Sequence, residues 1–103
     1  MQLTAYQQLT RKTAIYPKDK AISYLTLGLT SEAGEVAGKV KKIIRDGGVD
    51  VISTIDEIGD VFWYATRLCD ELGFEAEEVL RRNWAKLEDR MKRNVIGGSG
   101  DRR

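Results

Sequence analysis

Residues 28–60 read GLTSEAGEVAGKVKKIIRDGGVDVISTIDEIGD. Two acidic pairs, Glu32-Ala33-Gly34-Glu35 and Glu57-Ile58-Gly59-Asp60, stand on either side of an Asp46-Gly47-Gly48 break. Each pair has i, i+3 spacing, which puts both carboxylates on one side of a helix. Leu25, Leu29, Val36, Val40 and Ile43 recur at helical period before the break. Ile52, Ile55, Phe62, Ala65 and Cys69 or Leu68 do so after it, and are expected to face inward. Folded about the glycines, the two helices make an antiparallel hairpin. The midpoint of positions 32 and 60 is 46, as is that of 35 and 57. Glu32 is therefore expected level with Asp60, and Glu35 level with Glu57. Packed helices sit ~8–10 Å apart, a gap that two side chains and a cation close.

Four convergent anions repel unless they take up protons or a metal. Oxygen-only ligands favour hard cations, Mg²⁺ or Mn²⁺, over zinc. Magnesium is usually held by a few carboxylates plus substrate phosphates, so the patch suits a phosphate-ester or anhydride site. Acids at helical spacing are more often only a solvated face. The shared midpoint weighs against that, and so do the glycines. Gly34 and Gly59 sit inside the acidic pairs, with Gly28 and Gly38 nearby. Each costs ~1 kcal/mol relative to alanine in a helix interior, a cost that close approach of a helix or ligand explains.

Outward from the hairpin, the chain reads as four helices: residues 3–13, 17–45, 50 or 53–72, and 75–93. Pro17, the only proline, suits a first helical turn. Asp50 and Ser53 compete as the cap of the third helix, and Gly73 ends it. Val79, Leu80, Trp84, Leu87 and Met91 are expected to face inward from the fourth. No run alternates with strand period. The fold class is all-α, a four-helix-bundle-like single domain over residues 1–94. Residues 95–103 form a glycine-rich tail.

Bulk composition narrows the function. The 103 residues are 42% hydrophobic and 32% charged, which excludes a disordered chain. A net charge of +1 gives no reason for nucleic-acid or membrane-surface binding. The absence of histidine removes the commonest general base and zinc ligand. With one cysteine, Cys69, there is no internal disulfide, which fits a cytoplasmic setting. No apolar run approaches the ~20 residues that span a bilayer, and the start of the chain has no signal-peptide core. A chain this short buries a modest fraction of its surface, so a second subunit is expected to help.

Polar stripes continue from the acids. Tyr64 and Arg67 extend the acidic face of the third helix, where the tyrosine suits a base or sugar. Lys39 and Lys42 continue the line of Glu32 and Glu35 toward phosphates, or complement the helix C-terminus. Asn83, Lys86, Arg90 and Arg93 fall on one stripe of the fourth helix. One amide and three cations there suit a polyphosphate. Trp63 and Trp84 read as core or interface residues.

Taken together, these motifs resemble the MazG-like nucleoside triphosphate pyrophosphohydrolases of the all-α NTP pyrophosphatase superfamily. The signature ExxE, spacer, ExxD is carried by Glu32-Ala33-Gly34-Glu35 and Glu57-Ile58-Gly59-Asp60. Gly28-Leu29, Lys41-Lys42-Ile43-Ile44-Arg45-Asp46, Val61-Phe62-Trp63-Tyr64, Asn83-Trp84-Ala85-Lys86-Leu87 and Gly98-Ser99-Gly100-Asp101 match the flanks. The resemblance implies Mg²⁺, with Mn²⁺ as substitute, held by Glu32, Glu35, Glu57 and Asp60. It implies hydrolysis of an NTP or dNTP to the monophosphate and pyrophosphate by a homodimer or homotetramer. It also implies that Tyr64 contacts the nucleoside, that Asn83, Lys86 and Arg90 hold base, sugar or phosphates, and that the tail with Asp101 closes the site. Ser31 stands where some relatives carry an acid proposed to activate water. The attacking water is then expected to be oriented by Glu35 or Glu32. Two alternatives stay open: a narrower dUTP-, dCTP- or phosphoribosyl-ATP-type pyrophosphatase, and a non-catalytic helical interaction module.

Overall fold

The computed structural model describes residues 1–48 and 50–103. Four α-helices, α1 (Leu3–Thr10), α2 (Ala21–Asp46), α3 (Val51–Glu71) and α4 (Ala76–Lys92), make the fold, with no strand among the described residues. Single 3-10 turns at Arg11–Thr13 and Lys18–Lys20 shorten the first two expected helices. The boundaries have local causes. Gly47, at φ 70°, turns left-handed after α2, and its N–H donates to the Ile43 carbonyl at 2.9 Å. Asp50 rather than Ser53 caps α3, its carboxylate accepting the Ser53 N–H at 3.2 Å. Gly73, at φ 84°, stops α3 while the Phe74 N–H returns to the Cys69 carbonyl at 2.9 Å.

α2 and α3 pair as the antiparallel hairpin and supply most of the tertiary contact. On α2 the positions that lose solvent include Leu25, Leu29, Glu32, Val36, Lys39 and Ile43. They alternate in steps of four and three, the seam spacing of paired helices. On α3 the matching stripe is Thr54, Glu57, Val61, Tyr64 and Leu68. The closest approach is at Gly28, where an added Cβ would lie 2.0 Å from the Tyr64 ring. Tyr64 cannot move aside freely, since its ring is edge-on to Trp63 at 4.9 Å and tilted against Tyr24 at 6.5 Å. Leu25 is fully buried beside Tyr16 and Ala21, with Ala14, Trp63, Tyr64 and Leu68 around them.

The inward face expected for α3 is corrected in part: Ala65, Leu68 and Cys69 are half-buried as expected, but three others are not. Ile52 is 68% exposed and Phe62 58%, and Ile55 is exposed with them. The stripe toward α2 carries Thr54, Glu57, Val61 and Tyr64 in their place. Val40 of α2 is exposed as well, and on α4 Val79, Leu80, Trp84 and Met91 face outward, with only Leu87 half-buried. The radius of gyration, 16.4 Å, exceeds the ~13 Å of a compact chain of this length. Helices α3 and α4 thus leave apolar stripes uncovered.

A polar knot docks the other two helices on α3. Arg67, only 3% exposed, donates to the Tyr16 hydroxyl at 2.9 Å, to Asp70 at 2.7 Å and to Glu71 at 3.1 Å. It therefore serves the core and does not extend the acidic face as expected from spacing. The Tyr16 hydroxyl also bonds to Glu71. Arg11 forks onto Asp70, with contacts at 2.7 and 3.1 Å. Gln7 donates to Asp70 at 3.0 Å and to the Phe74 carbonyl at 3.1 Å, and its own oxygen accepts the Ala76 N–H, the first of α4, at 2.6 Å. One buried amide thus satisfies an orphan donor of α4 and ties α1 to both neighbours.

Gly28→Ala gains helix propensity but must displace a hemmed ring, so it should lower stability by ~1–3 kcal/mol. Gly38→Ala meets open space and should raise it by up to ~1 kcal/mol. Urea denaturation of the pair reads both signs. The Arg11 guanidinium, with Gln7 and Arg67, holds the Asp70 carboxyl far below the usual carboxylate range. A depressed folded pKa gives stability that is full above the unfolded value, ~3.9, and is lost as pH falls below it. Asp70→Asn should flatten that acid limb in thermal melts taken between neutral pH and pH ~2.

Candidate metal centre

The seam brings three carboxylates together. Glu32 of α2 and Glu57 and Asp60 of α3 each offer an oxygen, and the three oxygens lie within 4.8 Å of one another. Glu32 and Glu57 are half-buried on the seam, and Asp60 is exposed at its flank. The crowding registers on Glu32. Its carboxyl is pushed up first by burial, then by hydrogen bonding to Glu57 and by the charges of Asp60, Glu57 and Glu35. A bare cluster of this kind holds a proton or a cation. Three carboxylate oxygens with no nitrogen or sulfur donor make a hard set that fits Mg²⁺ or Mn²⁺.

Glu35 is not one of the gathered three. The reason is rotation: the seam of α2 steps from Glu32 to Val36, which leaves Glu35 beside it and exposed. It still adds negative charge against Glu32. The embedded glycines resolve unevenly. Gly28 is a packing glycine, whereas Gly34, Gly38 and Gly59 face open space.

Tyr64 adjoins the acids as well as filling the seam. Its phenol is pushed up by burial, by Tyr24, and by the charges of Glu32 and Asp60. Lys39 lies further toward the hairpin turn, lining a cavity of about 450 Å³ with Lys42, Ile43, Asp46, Gly48 and Asp50. Asn83, Lys86 and Asp101 line another, of about 670 Å³, with Phe74, Val79 and Arg82. Lys86 pairs with the Asp101 carboxylate at 2.8 Å, and buried Arg90 reaches the Asp101 carbonyl at 2.5 Å. Neither of these cavities shares a lining residue with the carboxylate trio.

Sequence reading missed Tyr6. This residue lines an apolar cavity of about 350 Å³ together with Met1, Gln2, Leu3, Gly59 and Phe62. The phenol is pushed up by burial and by the Asp60 charge, which sets it near the trio. No spacing argument finds it, because α1 and α3 meet through the fold and not through a shared period.

Among known proteins, the chain is similar to the "Gene 37 protein" of Mycobacterium phage L5, at 44% identity over 100% of each chain. No solved structure matches it. The family description "MazG nucleotide pyrophosphohydrolase domain" matches residues 20–95, which include α2, α3, α4 and all four motif acids. The chain, with its acidic hairpin in that matched stretch, belongs to the MazG nucleotide pyrophosphohydrolase family.

Proposed function

We propose that the chain hydrolyses nucleoside triphosphates, NTP or dNTP, to the monophosphate and pyrophosphate, using Mg²⁺ with Mn²⁺ as substitute. The observation that carries this reading is the convergence of Glu32, Glu57 and Asp60 across one helix seam. These residues would hold the cation. A hard divalent ion there neutralises phosphate oxygens and makes water more acidic. Glu35, exposed beside the trio, takes the position to orient the attacking water and draw off its proton, with Glu32 as the other candidate. Tyr64 bounds the site toward α2 and meets the nucleoside. Lys39, Asn83, Lys86 and Arg90 hold base, sugar or phosphate.

The α4 cavity stands apart from the trio within one chain. The uncovered apolar stripes of α3 and α4 fit burial against a second copy. A homodimer or homotetramer is therefore part of the reading, with α4 and the tail free to serve a neighbour's acids.

A panel of NTPs and dNTPs, assayed for phosphate after added inorganic pyrophosphatase, tests the reading. Pyrophosphate release is expected only with Mg²⁺ or Mn²⁺, from a species that sediments as a dimer or tetramer. Glu32→Gln should lower kcat/KM by at least about 100-fold, the scale of losing the charge stabilisation that a metal supplies. Release from one nucleotide alone would narrow the substrate class. A monomer with no release from any nucleotide and no metal uptake would leave a helical interaction module.

A further inference from the structure

The tail after α4 folds back on the helix in a specific way. Asn94, at φ 58°, turns the chain left-handed, and the Val95 N–H closes on the Arg90 carbonyl at 2.8 Å. Gly98 and Gly100, at φ 104° and 87°, adopt a backbone that L side chains rarely take. The Arg103 guanidinium then gathers four carbonyls: Ile96 at 2.9 Å, Val95 and Gly97 at 3.2 Å each, and Gly100 at 2.6 Å. The Arg103 carbonyl accepts from Arg93 at 2.6 Å. This knot returns Asp101 to α4.

Asp101 meets the two cations of α4 that suit an anion. Its carboxylate lies 2.8 Å from Lys86 Nζ and 3.4 Å from Arg90 Nη2, and its carbonyl takes the short Arg90 contact. Lys86 and Arg90 together hold the Asp101 carboxyl below its usual range. The Arg90 side chain is 7% exposed, while that of Asp101 is 80% exposed. With the tail docked, the Arg90 guanidinium donates only to Asp101 among the described hydrogen bonds. Charge-assisted hydrogen bonds of this kind are stronger than neutral ones, so an anion is the best replacement for the one that leaves. An arriving anion therefore competes directly with the tail. The adjoining cavity of about 670 Å³ has room for one, and Arg82, Asn83 and Lys86 add donors to its wall.

We infer that Asp101 is an internal stand-in for phosphate: a polyphosphate group binds Lys86 and Arg90 by exchanging with the Asp101 tail, so that occupancy of the α4 cavity and release of residues 97–103 are one event. This rests on the proposed reading of Asn83, Lys86 and Arg90 as phosphate-holding residues, and it makes Asp101 a competitor of the substrate. Binding frees the tail, with its two further arginines, to move over a ligand.

Inorganic tripolyphosphate in the presence of a chelator tests this without metal or turnover. Calorimetry should find Asp101→Asn binding it tighter than the parent chain by up to about fivefold, the upper end of what an exposed ion pair converts to. Lys86→Ala should bind it more weakly. The ¹⁵N heteronuclear NOE of residues 97–103 should fall at saturation in the parent chain. Equal or weaker binding by Asp101→Asn, a tail whose NOE is unchanged or raised at saturation, or no binding by the parent chain would each overturn the inference. Nucleotide turnover with Mg²⁺ is read separately. An inactive chain that shows the exchange would sink the hydrolase reading alone, and an active chain without it would sink this inference alone.

Discussion

The close approach of α2 and α3 at Gly28 and Tyr64 is the constraint on which the rest depends. Without a side chain at Gly28 the Tyr64 ring fills the space where the helices meet. That contact fixes the rotation of both helices. Rotation decides which acids face each other, and it selects Glu32, Glu57 and Asp60 while leaving Glu35 at the side. The same contact brings the Tyr64 phenol beside two of those acids. Seam packing and the chemistry proposed at the trio are therefore inseparable.

A helix seam carrying three neighbouring carboxylates is poor design for stability alone, because like charges at this range oppose folding. The offset sits on another face of α3. There Arg67, Asp70 and Glu71 join Arg11, Gln7 and Tyr16 in a network whose charges are paired. Asp70 and Glu71 of α3 and Glu32 of α2 thus have opposite electrostatic states. Asp70 and Glu71 are held readily ionised by their partners, whereas Glu32, across from Glu57 and Asp60, is made hard to ionise. Only the second kind gains from a cation, and this contrast separates an ordinary ion-pair network from a candidate metal site.

Much of this was legible in the sequence. The hairpin followed from two acidic pairs spaced evenly about Gly47-Gly48, and the left-handed Gly47 and Gly73 ended helices where expected. The family likeness stated from motifs agrees with the match over residues 20–95. The face chosen for α3 was right toward its C-terminus, where Ala65, Leu68 and Cys69 are half-buried, and wrong before it. Ile52, Ile55 and Phe62 are among the most apolar residues of the helix, yet they are exposed. The Arg67 network was hidden because its partners lie on three elements and share no period. Tail closure was hidden for a related reason, since Arg103 bonds to carbonyls, which leave no mark on residue type. Midpoint arithmetic placed the acids level along the axis but carries no information about rotation, so it does not separate Glu35 from the three acids whose oxygens gather.

The central claim is that the trio, and not the four motif acids equally, forms the cation site. Mn²⁺ binding followed by electron paramagnetic resonance tests this directly, with the parent chain, Glu57→Gln, Asp60→Asn and Glu35→Gln, none of them requiring substrate. The account predicts that Glu57→Gln and Asp60→Asn each weaken binding at least about tenfold, while Glu35→Gln weakens it clearly less. Parent-level Mn²⁺ affinity in the Glu57 and Asp60 variants, or a loss at Glu35 as large as theirs, would contradict it.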